Sequence, residues 1–122
     1  MAKNYIQLGS VVEWTNDTGS AVASGDRVTM GSQDGVALVD LDDGESGSVA
    51  MDGVWDLPKV SGSAWNPGDR LVWDSSESAY DLESNVSLDT GDVSECAVAG
   101  GHADSGATTG PVKIGVGVGT VN

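Results

Sequence analysis

The sequence predicts an all-β chain: a small β-barrel or β-sandwich-like domain with Gly/Asp-rich turns and an extended N-terminal arm. Three observations carry that expectation. Gly supplies 18 of 122 residues, about twice the usual share. Val recurs in short stretches where apolar and polar residues alternate, the period of a half-buried strand. Between those stretches lie clusters such as Gly-Asp and Asn-Pro-Gly-Asp, which favour turns because Pro presets φ and Gly accepts a positive φ. The chain has no Phe and lacks the Glu, Lys, Ala and Leu mixture of helical bundles. Four Trp and abundant Val separate it from disordered filler. Its length suits one domain, residues 10–122, behind an arm of residues 1–9.

Taken in order, residues 1–9 read as an extended lead-in whose Tyr5, Ile6 and Leu8 follow no helical period. Ser10–Trp14 is a first strand, ended by the turn Asn16–Gly19. Ala21–Ser24 and Arg27–Met30 flank Gly25-Asp26, and Gly35–Asp40 is an apolar strand before the acidic turn Leu41–Gly47. Ser48–Leu57 reads as one half-buried strand, with Val49, Met51, Gly53, Trp55 and Leu57 on one face. Gly53 interrupts that face as a bulge or close backbone approach, and Pro58 ends the pairing. A loop carrying a buriable Trp65 leads through Asn66–Asp69 to the strand Arg70–Asp74. Ala79–Glu83 and Val86–Leu88 are weaker strands, and Val93–Ala99 is a strand or one helical turn. Gly100–Gly110 has no period and reads as a loop or mobile flap. Val112–Val121 alternates Val and Ile with Lys and Gly, the cleanest strand pattern in the chain, and its Gly side admits close approach of another segment. Gly followed by a small polar residue precedes a strand four times, at Gly9-Ser10, Gly25-Asp26, Gly68-Asp69 and Gly91-Asp92. Their unequal spacing marks turn chemistry, not a solenoid repeat.

Five Lys and Arg stand against nineteen Asp and Glu, a formal charge of −14. That disfavours direct binding to nucleic acid or to an anionic membrane. No apolar run is long enough for a transmembrane helix, and the N-terminus lacks the apolar stretch of a secretory signal. The acidity is compatible with simple solubility, with a saline setting in which salt screens self-repulsion, or with a cluster of specific calcium sites. The single Cys96 excludes an internal disulfide.

Chemistry is hard to assemble from these residues. His102 is the only His, and a Cys96–His102 pair would need the Gly100–Gly110 loop to fold back. One Cys and one His cannot close a zinc site. The run from Asp40 to Glu45 fails the calcium-loop pattern, because Glu45 stands where Gly is required and Met51 where Glu is required. Paired carboxylates are too numerous to single out a glycosidase pair. Trp14, Trp55, Trp65 and Trp73 suit core, subunit interface or sugar stacking. No phosphate-binding Gly motif is present. Arg27, Arg70, Lys3, Lys59 and Lys113 are scarce cations, suited to pairing with local carboxylates or docking across an interface. No catalytic, cofactor-binding or metal-ligating residue is expected.

Several of these segments together resemble the capsid cement, or head decoration, proteins of tailed bacteriophages. The resemblance runs through Ala2–Val12 (AKNYIQLGSVV), Ala21–Gly31 (AVASGDRVTMG) and Gly47–Lys59 (GSVAMDGVWDLPK), then Trp65–Asp74 (WNPGDRLVWD) and Ala103–Ile114 (ADSGATTGPVKI). It is weakest over Leu82–Glu95, and the chain is more acidic than the pattern. The resemblance implies a nonenzymatic structural protein of the virion, without cofactor. It would bind the major capsid protein on the outer surface of the head and cement the shell, as a homotrimer. It also implies contact candidates Lys3, Tyr5, Ile6, Leu8, Trp65 and Arg70, with Gly53, Trp55, Leu57 and Pro58 as scaffold. The alternatives are a carbohydrate-binding β-module using surface Trp residues, and a small hydrolase using paired acids.

Overall fold

The computed structural model describes residues 9–122. Two antiparallel sheets are built from ten strands. The first contains β1 (Val11–Thr15), β2 (Arg27–Met30), β3 (Gln33–Ala37) and β4 (Ser46–Ala50), in the order β1-β4-β3-β2. The second runs β5-β9-β8-β6-β7, from β5 (Gly53–Pro58), β6 (Arg70–Asp74), β7 (Ala79–Leu82), β8 (Val93–Ala99) and β9 (Thr109–Ile114). A short β10 (Thr120–Val121) adds to β8. The only helical piece among the described residues is the 3-10 turn Glu83–Asn85. The end strands of the second sheet touch at one point, a parallel bridge between Lys59 and Tyr80. The sheet therefore curls without closing into a barrel, and the β-sandwich-like expectation is the one that fits.

Two expected strands are each divided. Ser48–Leu57 is not one strand: β4 ends at Ala50, β5 begins at Gly53, and the two lie in different sheets. The alternation survives because the chain changes sheets while keeping its apolar side inward, with Val49 and Leu57 fully buried. Gly53 makes the corner at a φ of 103°, where an L side chain is strained. Val112–Val121 is divided for a related reason. β9 stops at Ile114, and Gly115 turns away at a φ of 78°. A Cβ on Gly115 would lie 2.5 Å from the Met51 carbonyl oxygen, and one on Gly119 would collide with the Ser32 carbonyl. The close approach expected of this Gly side exists, but as a folded turn that leaves Val116 and Val118 exposed. Val86–Leu88 forms no strand, whereas Val93–Ala99 does. Gly100–Gly110 is pinned rather than free. Trp65 and Ala103 exchange two backbone hydrogen bonds, both 3.1 Å, and Gly62 donates to the Ser105 carbonyl at 2.6 Å.

The main core lies inside the curled sheet, around Leu57, Trp65, Leu71, Tyr80, Val112 and Ile114, and Val36 of β3 reaches into it from the first sheet. A second cluster under the first sheet joins Val22, Val28, Ala37 and Val49 with partly buried Trp14, Met30 and Met51.

The Gly-acid turns share one construction. Gly25, Gly44, Gly68 and Gly91 have φ of 91°, 88°, 90° and 91°, the left-handed third position of a type II turn. The next residue closes each turn twice. Its N–H donates three residues back, as Asp26 to Ala23 at 3.0 Å and Asp69 to Asn66 at 3.1 Å. Its carboxylate accepts the N–H of that same residue, at 2.9 Å for Asp26, 2.8 Å for Glu45, 2.8 Å for Asp69 and 2.9 Å for Asp92. Gly9-Ser10 is built differently: the Ser10 carbonyl accepts the Met51 N–H at 2.8 Å.

Asp92 carries this furthest. It is buried and also accepts the Ser75 N–H and hydroxyl, both at 2.9 Å. Burial alone would raise its pKa, but the hydrogen bonds from Ser75 and Asp89 outweigh burial and hold the carboxyl below its usual range. A carboxylate whose pKa falls on folding contributes stability above its unfolded pKa, about 3.9. That contribution is lost as pH drops through the lower folded value. Asp92→Asn should therefore lower Tm at neutral pH and flatten the fall in Tm below about pH 4. An unchanged Tm–pH profile in thermal melts would contradict this role.

Candidate functional site

The densest polar constellation lies between the sheets. Asp34 on β3 is fully buried, and Arg27 on β2 faces it with a side chain only 5% exposed. Arg27 Nε donates to Asp34 Oδ1 at 2.8 Å, and Nη2 donates to the same oxygen. Arg27 Nη1 donates to Thr29 Oγ1 at 2.6 Å. From the second sheet, the guanidinium carbon sits 4.3 Å from the centre of the Trp73 ring, a cation–π contact. Trp73 in turn meets Tyr80 edge-on, with ring centres 5.2 Å apart. The Cys96 thiol donates to Asp34 Oδ2 at 3.2 Å. The ion pair and the thiol are all partnered, the buried Tyr80 hydroxyl alone in the cluster lacks a hydrogen bond, and the cluster joins β2 and β3 to β6, β7 and β8.

The arrangement suppresses reactivity. Burial, then the Asp34 charge, push the Cys96 thiol up to about 12, so it remains a thiol at neutral pH. Burial, reinforced by Asp34, also raises the Tyr80 phenol well above its ordinary value. His102 lies elsewhere, half exposed, with Nδ1 3.0 Å from Asn66 Oδ1 and Nε2 2.9 Å from Asp104 Oδ1. The conceivable Cys96–His102 pair therefore does not form. Among the described residues, no three His, Cys, Asp or Glu side chains gather in a metal-binding arrangement. No helix among them is long and apolar enough to cross a membrane.

The residues singled out from sequence are dispersed. Trp65 requires correction as a contact residue: its side chain is completely buried, with the Lys59 ammonium 5.4 Å from its ring centre on one side. It supports the core and offers no area to a partner. Trp14, Trp55 and Trp73 are half-buried, so none of the four stands open as a sugar platform. Trp55 packs against the main core and donates its indole N–H to the Asp52 carbonyl at 2.9 Å. Leu57 is buried and Pro58 exposed at the end of β5, an edge strand of its sheet. Arg70 projects from the start of β6 with its side chain 80% exposed and a loose contact to Glu83 at 3.9 Å. Lys3, Tyr5, Ile6 and Leu8 lie outside the described residues.

Several depressions mark the surface of the described residues, and two bear on the site. One, of about 420 Å³, lies near Thr18, Ser20, Arg27, Thr29 and Trp73. The larger, about 700 Å³, is an open groove lined by Arg70, Val86, Leu88, Glu95, Val98 and Val116. Sequence reasoning singled out Arg70 but missed the groove, because loop residues 86 and 88 and the turn at 116 meet only in the folded chain.

The described residues form paired strands, tightly closed turns and a buried, fully protonated Cys96. A family model described as phage cement protein matches residues 6–118. The chain belongs to that family, and its role is structural: it stabilises the capsid as a capsid-associated component of the virion. Searches of curated proteins and of solved structures find no match.

The interior ion pair can be tested directly. Asp34→Ala strands the Arg27 guanidinium in a buried site, which should cost about 3–5 kcal/mol in denaturant unfolding. Replacing both partners with apolar residues, Arg27→Met with Asp34→Leu, should cost clearly less. A loss below about 1 kcal/mol for Asp34→Ala would show that the pair does not tie the sheets together.

Proposed function

We propose that this protein binds the outer surface of a tailed-phage head, on the major capsid protein, and cements the shell as a homotrimer without catalytic activity. The observation that carries this reading is the family match over nearly the whole chain. The structure supplies physical support. The reactive side chains are buried, as Cys96 is, or dispersed, as His102 is. The exposed surface still carries Val54, Leu88, Val116 and Val118, apolar area that is better covered than wet.

Cementing follows from linkage. A subunit that binds only the assembled shell stabilises that shell against disassembly. A lattice multiplies weak contacts through high effective concentration. Trimerisation would add valency to each attachment. In this reading Arg70 is a contact residue, and residues 1–9, including Lys3, Tyr5, Ile6 and Leu8, act as an attachment arm. The net charge of −14 disfavours direct contact with nucleic acid or an anionic membrane.

The test is co-sedimentation of the purified protein with empty parent capsids, followed by heating of the decorated shells. Saturable binding and a higher disruption temperature are expected. Removing residues 1–9 should weaken attachment more than it lowers the Tm of the free protein. Binding that fails to saturate, or shells no more heat-resistant than bare ones, would contradict the cementing role.

A further inference from the structure

The outer face of the second sheet carries a cross-strand row that the sequence does not display. Val54 on β5 pairs with Lys113 on β9, Lys113 with Val98 on β8, and Val98 with Arg70 on β6. Residues paired directly across antiparallel strands project from the same face. The inward side of the same strands carries Val112, Ile114, Ala97 and Leu71, all buried. The row therefore faces outward, with Val54 55% exposed and both Lys113 and Arg70 exposed.

Its charge is unusual for this molecule. The chain has five Lys and Arg. Lys3 lies outside the described residues, and Arg27 and Lys59 are largely enclosed. Among the described residues, the exposed cations are Arg70 and Lys113, with only β8 between their strands and so about 10 Å apart. Carboxylates share the neighbourhood: Asp56, exposed and two residues along β5 from Val54, lies on the same outer face. Glu83 touches Arg70 loosely at 3.9 Å, Glu95 lines the groove, and Lys113 has no ion-pair partner among the described residues.

The opposite chemistry occurs on the first sheet. Leu38 and Val39 are 37% and 45% exposed just after β3. They lead into the exposed acidic turn with Asp42, Asp43 and Glu45. Asp17 stands in the adjoining turn, which is tied to this one by the Gly19 N–H on Asp43 Oδ1 at 3.0 Å and the Gly44 N–H on the Asn16 carbonyl at 2.7 Å. One chain thus presents an outer face that gathers both exposed cations of the described residues and an apolar-acidic corner that carries none.

We infer that the outer face around Val54, Lys113, Val98 and Arg70 seats the acidic corner of a second copy of this chain, in a head-to-tail contact. A two-fold contact of either patch with itself would set like charges against each other. Only the heterologous arrangement pairs both patches, and such contacts close into rings when the rotation permits. The inference rests on the proposed self-association and names the surfaces that produce it.

The test is sedimentation velocity of the full chain at about 0.15 M salt, where a screening length of about 8 Å damps the net repulsion between copies but not close charge contacts. Wild type should assemble. Arg70→Glu with Lys113→Glu should weaken association at least about tenfold, while melting as wild type does. Asp17→Lys with Asp42→Lys should do the same. The chain carrying all four changes should assemble again. If the reversed pair fails to fold, Arg70→Gln with Lys113→Gln should give a smaller weakening. Assembly unaffected by the face variants, or no recovery in the fourfold variant, overturns the choice of surfaces and leaves self-association standing. A wild type that is monomeric throughout overturns both this inference and the proposed trimer. Shell binding by that monomer would assign the face to the capsid instead.

Discussion

The fold depends on keeping one ion pair dry. Arg27 and Asp34 are neighbours across a two-stranded ladder in the first sheet, yet each is also contacted by a side chain from the second. Trp73 covers the guanidinium and Cys96 caps the far carboxylate oxygen. An isolated buried charge costs several kcal/mol, so each of these groups is satisfied only while the sheets stay together. Apolar packing through Val36 supplies attraction between the layers. The ion pair supplies register, because displacing one sheet would strand a charge.

The acidic composition also has a structural component. Asp26, Glu45, Asp69 and Asp92 close turns, while Asp34 anchors the interior. These carboxylates are spent on backbone N–H groups and on one Arg, so part of the negative charge belongs to folding. The remainder, including Asp17 and Asp42, lies on the surface and sets how copies repel or attract one another.

Much of the architecture was legible in the chain. Period-two alternation located β2 and β6 at their observed limits, and Gly-Asp marked three of the four doubly closed turns. What misled was continuity. Alternation around Met51 and around Gly115 persists across corners, because a chain passing between sheets keeps its apolar side inward. Periodicity cannot register a positive φ, although Gly53 and Gly115 were visible as possible sites for one. The site was less legible. Trp65 was a plausible contact until its complete burial, and nothing local indicates that Arg70 and Lys113, far apart in sequence, share a row. That juxtaposition is set by the strand order β9-β8-β6, which is long-range information.

The resulting picture is a β-rich unit with its cysteine buried and its scarce exposed cations on one face, consistent with membership of the phage cement protein family. The most direct measurement is a cryo-electron reconstruction of the parent particle. The account requires β-rich density for this chain standing above the capsid floor on the outer side, repeated with the lattice and seated on the major capsid protein. A head whose outer surface is bare, with the protein found inside the shell or lost from purified particles, would contradict it.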